Sequence, residues 1–402
     1  MANRILTTHV GSLPRTPELL AANTQWANGQ IERSEFIDIL KDSIDEVVKR
    51  QHDLGIDIIN EGEYSHLTTA AVDYGSWWHY SFRRLSGLTM QDNEGVWEGG
   101  EIRRSTPGNI RLTSFPDRRD RQLFAEAYAD PESGITVGKQ GSFPTITGPI
   151  DYIGQQEIDA AIQLLRQAAA KVGHENIFVP ALSPGSAERL KNEHYDNEND
   201  VIFACAEAMG QEYKAITDAG FTVQIDDPSL AENWDQINPE PAIEDYCAFI
   251  RVRVDAINHA LKKYAIPREQ TRLHICWGSW HGPHVTDVPF ADIIEEILRA
   301  EVGGYSFEGS SPRHAHEWRV WQDHKLPAGA VIYPGVISHC VNAVEHPRLI
   351  ADRIIQFAQV VGPENVVASS DCGLGGRLHH QIAWAKLEAL VEGARIASEE
   401  LF

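Results

Sequence analysis

A histidine and a cysteine stand two residues apart in the segment RLHICWGS, as His274 and Cys276. In a β-strand, residues i and i+2 share a face, so an imidazole and a thiolate so spaced can reach one ion. A second thiol, Cys372, closes the run VVASSDCG, and a carboxylate, Glu308, closes GYSFEG. Two thiolates, an imidazole and a carboxylate form a soft-to-borderline donor set that suits Zn2+. A fixed cage of four would be structural, whereas a displaceable Glu308 would leave one position for a substrate.

Bringing residues 274, 276, 308 and 372 together requires a scaffold that gathers distant strand ends. Nine short apolar runs recur along the chain: ILTTHVGS, GIDIINEGE, TITGPI, IFVPALSPG, FTVQIDDP, RLHICWGS, GYSFEGSSP, AVIYPGVIS and VVASSDCG. Helical patterns lie between them. Residues 33–54 set Phe36, Ile37, Leu40, Ile44, Val47 and Val48 at helical spacing, and 201–219, 242–263, 291–300 and 381–400 read similarly. Such alternation predicts a parallel sheet covered on both faces. The expectation is an α/β fold, a TIM (β/α)8 barrel, whose strand carboxyl ends converge on one face. Nine cues exceed the eight strands required, so one is a loop or an accessory strand. An open doubly wound sheet is the alternative, but no GxGxxG follows the first strand.

The domain expectation is a single barrel over residues 1–402 with an insertion at about 80–140. There EIRRSTP and NIRLTSF suggest an inserted β-hairpin or lid excursion. The aromatic stretch DYGSWWHYSF (73–82) reads as packing on the barrel rim or as one wall of an organic substrate pocket.

Charge narrows the partners. With 58 acidic and 35 basic side chains in 402 residues, the formal net charge is −23. That argues against nucleic acid and against a polybasic membrane contact. The apolar fraction of 42% and charged fraction of 23% are ordinary for a folded chain, which excludes disorder over most of its length. Five cysteines are too few and odd in number for a disulfide scaffold, no apolar run is long enough to span a membrane, and MANRILTTHVGSLPR has no signal pattern. A cytoplasmic location is expected, and a homo-oligomer is allowed for.

Other chemical residues have blander readings. His314 and His316 form a second i, i+2 pair, read as pocket lining or backbone partners; His281 and His284, in the loop after Cys276, are acid/base candidates. His379 and His380 follow a GLGG stretch too short for a phosphate loop. Cys205 and Cys247 fall in helical patterns and read as core, and Cys340 as a pocket thiol or a spectator.

Taken in order, THVGSLPR, INEGEYS, TGPI, QIDDPSL, HICW, SFEGS, PGVIS and SSDCGLGG make the chain similar to the catalytic barrel of cobalamin-independent methionine synthases, from about residue 5 to residue 400. Its length accommodates one barrel where full-length members carry two, and HICWGSWHGPH and SSPRHAHEW look most like the single-barrel bacterial branch. Some of that branch resemble epoxyalkane:coenzyme M transferase. The resemblance implies a catalytic zinc held by His274, Cys276, Glu308 and Cys372. It also implies that Glu63 and Asp226 grip the ammonium of homocysteine, while the backbone around Gly11 and Ser12 holds its carboxylate. Coenzyme M, a sulfonate without an ammonium, would want Arg15, Arg313 or Arg377 instead. After PGV the family places an Asp-x-His that helps methyl transfer; here the stretch is Ser338, His339, Cys340. His339, one residue displaced, would turn to the other face if the strand continued. The expected catalytic residues are therefore Glu308, His339 and His281. The implied donor is methyltetrahydrofolate, a methyl-corrinoid protein or, in the runner-up reading, an epoxide. A non-catalytic zinc-stabilised thiol-binding barrel and a zinc-free decarboxylase of the porphyrin-processing type are the remaining alternatives.

Overall fold

A computed structural model describes residues 3–67, 80, 82–90, 102–135 and 144–402. Its strands are β1 (Leu6–Thr7), β2 (Leu88–Thr89), β3 (Thr145–Ile146), β4 (Phe178–Leu182), β5 (Lys191–Asn192), β6 (Thr222–Asp226), β7 (Thr271–Ile275), β8 (Gly304–Phe307), β9 (Val331–Ile337) and β10 (Val367–Ser370). Seven of them form one sheet in the order β1-β10-β9-β8-β7-β6-β4, with every pairing parallel. The strands of this sheet are nearly all buried runs, as expected when helices cover a parallel sheet. The long helices α1 (Pro17–Ala27), α2 (Arg33–Leu54), α3 (Gln155–Val172), α4 (Glu198–Asp218), α5 (Ile243–Lys263), α6 (Phe290–Ile297), α7 (Pro347–Val361) and α8 (His380–Leu401) alternate with the strands. No helix among the described residues is long and apolar enough to cross a membrane.

The expected closed eight-stranded barrel is corrected to a curled seven-stranded sheet. The segment GIDIINEGE does not form a strand. Residues 57–60 lie between the sheet's two edges, where the Asp57 and Ile58 amides each donate to Thr7 O at 3.1 Å. On the other side, Ile59 N donates to Asn176 O and Ile59 O accepts from Phe178 N, a single parallel bridge. The reason no ladder grows lies in Asp57: its carboxylate takes the Thr7 N–H at 2.9 Å, the donor that would have extended the pairing. Across the sheet's concave side, Arg272 of β7 donates to Thr8 Oγ1 and His9 O beyond β1, at 3.2 and 3.0 Å. Strands from the middle and the edge of the sheet are thereby tied through its interior.

Two cues, not one, thus fall outside the sheet: GIDIINEGE, and TITGPI, which is the accessory one. Its β3 pairs with β2 and β5 in a separate three-stranded sheet. In the excursion, Thr106 and Asn109 close an antiparallel bridge. Short helical pieces follow at Phe115–Asp117, Arg119–Leu123 and Ala125–Ala129. This part packs on the loops that follow β6 and β7, through Asp120 N to Asp235 and Val285 N to Asp120. Of the aromatic stretch 73–82, only Tyr80 and Phe82 fall within the described residues.

Candidate metal and thiol site

The candidate residues gather where the parallel strands end. Asp226 closes β6, His274 is the fourth residue of β7, Cys276 follows it, Glu308 follows β8 and Cys372 follows β10 by two residues. Each is buried or half-buried. One ligand atom each from His274, Cys276 and Cys372 lies within 4.8 Å of the others, a spacing that one ion can satisfy. Pairing of β7 with β8 sets His274 opposite Ser306, and His274 Nδ1 meets Ser306 Oγ at 2.9 Å. That bond fixes the ring and leaves Nε2 buried without a hydrogen-bond partner. Contact with Cys276 and with His274 holds the Cys372 thiol well below its ordinary range, while Cys372 and burial push Cys276 well above. An orphaned imidazole nitrogen beside a thiol pair of this kind fits a zinc ion chemically.

Glu308, the expected fourth ligand, is not a member of that triplet. Its carboxylate is grouped instead with His339 and Asp371, again within 4.8 Å of one another. Glu308 Oε1 accepts the Trp277 N–H at 3.0 Å, one residue from Cys276, and burial pushes its carboxyl up to about 8. Asp371 was not foreseen. Its Oδ1 accepts the Gly309 and Ser310 amides at 2.8 and 2.9 Å, and its Oδ2 the Ser310 hydroxyl at 2.6 Å, which ties the loop after β8 to the residue preceding Cys372.

His339 does not turn away. Strand β9 ends at Ile337, so face alternation no longer governs residue 339. The side chain is fully buried, with Nε2 at 2.9 Å from Cys340 Sγ and Nδ1 unpartnered. Burial pushes it down to about 3, so it is neutral at ordinary pH. His281 is half-buried and its imidazole is lowered by burial, in the neighbourhood of the His339 backbone.

Glu63 is placed by an unusual backbone. Helix α2 ends at Gly55 with φ 87°, and its buried Gln51 then holds both sides of the turn: Nε2 donates to Asn60 O at 2.8 Å, and Oε1 lies 2.8 Å from His9 Nε2. Gly62 and Glu63 both take left-handed φ, 71° and 59°. A glutamate there is strained, and such strain is tolerated where surrounding contacts fix it. Arg15 supplies them by donating to the Glu63 and His66 carbonyls. Burial pushes Glu63 up to about 8 against the pull of Arg15. Burial, Glu63 and Cys372 together push Asp226 well above the carboxylate range, although Gln224 donates to it at 2.7 Å. Asp226 and His274 are register partners on neighbouring strands, so the carboxylate pair borders the thiol cluster.

Gly11 engages its own N–H with His9 Nδ1 at 3.2 Å. Ser12 accepts the Leu374 and Gly375 amides on its carbonyl, both at 2.9 Å, which joins the β1 loop to the β10 loop carrying Cys372. The remaining histidines are structural or peripheral. His314 bridges Asp287 and Glu317 and stacks on Trp277, His284 stacks on Trp280, His316 is exposed and His379 caps α8. Arg313 is exposed and donates to Val285 O, while Arg377 donates to Ser279 Oγ at 3.0 Å.

The sequence profile described as "Cobalamin-independent synthase, Catalytic domain" matches residues 5–73 and 185–396. The chain is similar to proteins named methionine synthase from Saccharolobus islandicus strain L.S.2.15 and from Sulfolobus acidocaldarius. Both are 23% identical to it, covering 98% of this chain and 95% and 93% of theirs. Among solved structures, a B12-independent methionine synthase from Shewanella sp. W3-18-1 in complex with selenomethionine superposes with a TM-score of 0.68 at 18% identity, covering 99% of both chains. A putative vitamin-B12-independent methionine synthase from Listeria monocytogenes gives 0.62 at 19% identity, covering 98% of both. At these identities the structural likeness speaks for the fold.

Proposed function

Because the chain belongs to the family of the cobalamin-independent synthase catalytic domain, we propose that it is a zinc-dependent methyltransferase that methylates homocysteine to methionine. His274, Cys276 and Cys372 would hold the zinc, and Glu308, whose carboxylate accepts the Trp277 N–H beside Cys276, would enter or leave as a fourth ligand. When bound there, zinc lowers the pKa of an incoming thiol so that its sulfur is nucleophilic at neutral pH.

The observation that carries the choice of thiol is the pair of buried carboxylates, Glu63 and Asp226, bordering the thiol cluster. Burial and neighbouring negative charge push both carboxyls up, and one ammonium group between them would relieve that. A sulfonate would instead bring a further negative charge beside the pair. Of the expected cations, Arg15 is committed to backbone carbonyls, Arg313 is exposed, and Arg377 is half-buried and donates to Ser279 Oγ. Since Gly11 N–H is engaged by His9, the Ser12 backbone is the better candidate for the substrate carboxylate. Its missing side chain gives Gly11 another role, that of leaving room for Glu63.

His339, neutral through burial, offers its unpartnered Nδ1 to orient the methyl donor. His281 is the acid/base candidate beside it. The donor we favour is methyltetrahydrofolate, with a methyl-corrinoid protein or an epoxide as competing electrophiles. The reacting carbon must sit in line with the activated sulfur, in a site that excludes water. The test is to incubate the zinc-loaded protein with homocysteine or coenzyme M and, in turn, methyltetrahydrofolate, methylcobalamin and a short epoxide, following products by mass spectrometry. Methionine formed from homocysteine supports the proposal. Products from coenzyme M and epoxide alone would transfer the chain to the alkyltransferase reading.

A further inference from the structure

Lysine is among the residues least often fully buried, yet Lys386 in the middle of α8 has no exposed surface. A buried ammonium persists only when paired and hydrogen-bonded. Lys386 Nζ donates to Glu345 Oε2 at 2.8 Å and to Ala343 O at 2.6 Å. The other oxygen of Glu345 accepts the Ser338 N–H at 2.8 Å, and Ser338 Oγ in turn accepts the Cys340 N–H at 3.1 Å. One carboxylate therefore joins the start of the 338–345 loop to its end, and the lysine fastens that carboxylate to α8. Residues 341–344 between them are exposed. His281 also meets the His339 backbone, but the ion pair is what ties this loop to α8.

We infer that the Lys386–Glu345 ion pair is a positioning device: a clasp that holds the loop after β9 so that His339 stays buried beside Glu308 and Asp371, with Cys340 half-buried against its ring. Its catalytic consequence rests on the methyltransferase reading, but its structural one does not. Lys386 touches neither substrate nor metal ligand, and it acts through Glu345 and Ser338.

Two readouts separate these. The first is the rate at which Cys340 is alkylated by iodoacetamide, followed by peptide mass spectrometry on the zinc-loaded protein; it needs no turnover. Lys386→Met should raise that rate at least about tenfold, because opening of the loop exposes the thiol and removes its His339 partner. Lys386→Arg, which keeps the charge, should restore much of the protection. Glu345→Gln retains an acceptor for Ser338 N but loses the ion pair, and it serves as the second variant if Lys386→Met does not fold. The second readout is kinetic: Lys386→Met should lower kcat about tenfold or more with thiol KM and zinc content changed less than about threefold. Wild-type Cys340 reactivity in both Lys386→Met and Glu345→Gln would overturn the clasp. Faster alkylation in a protein that turns over no thiol would uphold the clasp and discard the methyltransferase reading.

Discussion

Gly11 and Glu63 interlock. A β-carbon on residue 11 would stand 2.4 Å from Glu63 Oε1, and Gly11 itself has φ 146°, which side chains other than glycine's rarely adopt. The carboxylate therefore occupies the space that a side chain at 11 would fill. Gly11→Ala should displace Glu63 from the site, raising the KM for homocysteine about tenfold or more while the zinc content stays at one per chain. Titration of thiol-dependent rates in the variant checks this.

Neutralising the carboxylate directly is more selective. An interaction of a charged group in a buried site is worth about 1.5–3 kcal/mol, so Glu63→Gln or Asp226→Asn should raise the KM for homocysteine by roughly 10- to 150-fold. Thiols without an amine should change much less. The comparison is KM for homocysteine and for coenzyme M in wild type and Glu63→Gln. Equal small changes for both would mean that Glu63 does not read the substrate.

The same group predicts a pH-dependent stability. Burial holds Glu63 at about 8 in the folded chain, above the ordinary carboxylate value, so the folded state binds the proton more tightly than the unfolded state. Its contribution is full below the unfolded pKa of about 4.3 and is lost as the pH rises through 8. Glu63→Gln should leave Tm nearly unchanged near pH 4 and raise it relative to wild type at pH 8 and above. Thermal melts across that range would show it, and a variant that loses Tm at pH 8 would contradict the assigned burial.

Ligand removal should spare the fold. The core between sheet and helices is apolar, with Val223, Ile225, Leu273, Ile275, Phe307, Ile332 and Val336 buried, and the thiols stand beyond the strand ends. Cys276→Ser and Cys372→Ser should each lose zinc and lower activity by more than the roughly 10- to 100-fold that outer-shell changes cost, with far-UV circular dichroism unchanged. If either variant failed to fold, the site would be structural.

Much of this arrangement is legible in the sequence. The helical periodicity of residues 33–54 corresponds to α2, and the HxC pair lies at the end of β7 as strand spacing implies. Other features depend on tertiary context. Apolar runs alone cannot distinguish a central strand from β3 of the accessory sheet, nor show that the Asp57 side chain displaces a backbone ladder. The face assigned to His339 assumed a strand that in fact ends two residues earlier. Asp371 reads as an ordinary acid next to a cysteine until the loop after β8 supplies its three donors. Lys386 sits in a helical pattern that gives no sign of its burial, because its partner lies 41 positions away.

The most direct test of the zinc–thiol account is the absorption spectrum of the protein with Co2+ in place of zinc. Two thiolates and an imidazole from His274, Cys276 and Cys372 should give intense near-ultraviolet thiolate-to-cobalt charge-transfer bands and the visible bands of a tetrahedral site. Homocysteine should then increase the charge-transfer intensity by about half, as a third thiolate joins two. Homoserine, with the same ammonium and carboxylate but no sulfur, should not. Cobalt bands that are absent, that persist unchanged in Cys372→Ser, or that ignore homocysteine would contradict the central claim.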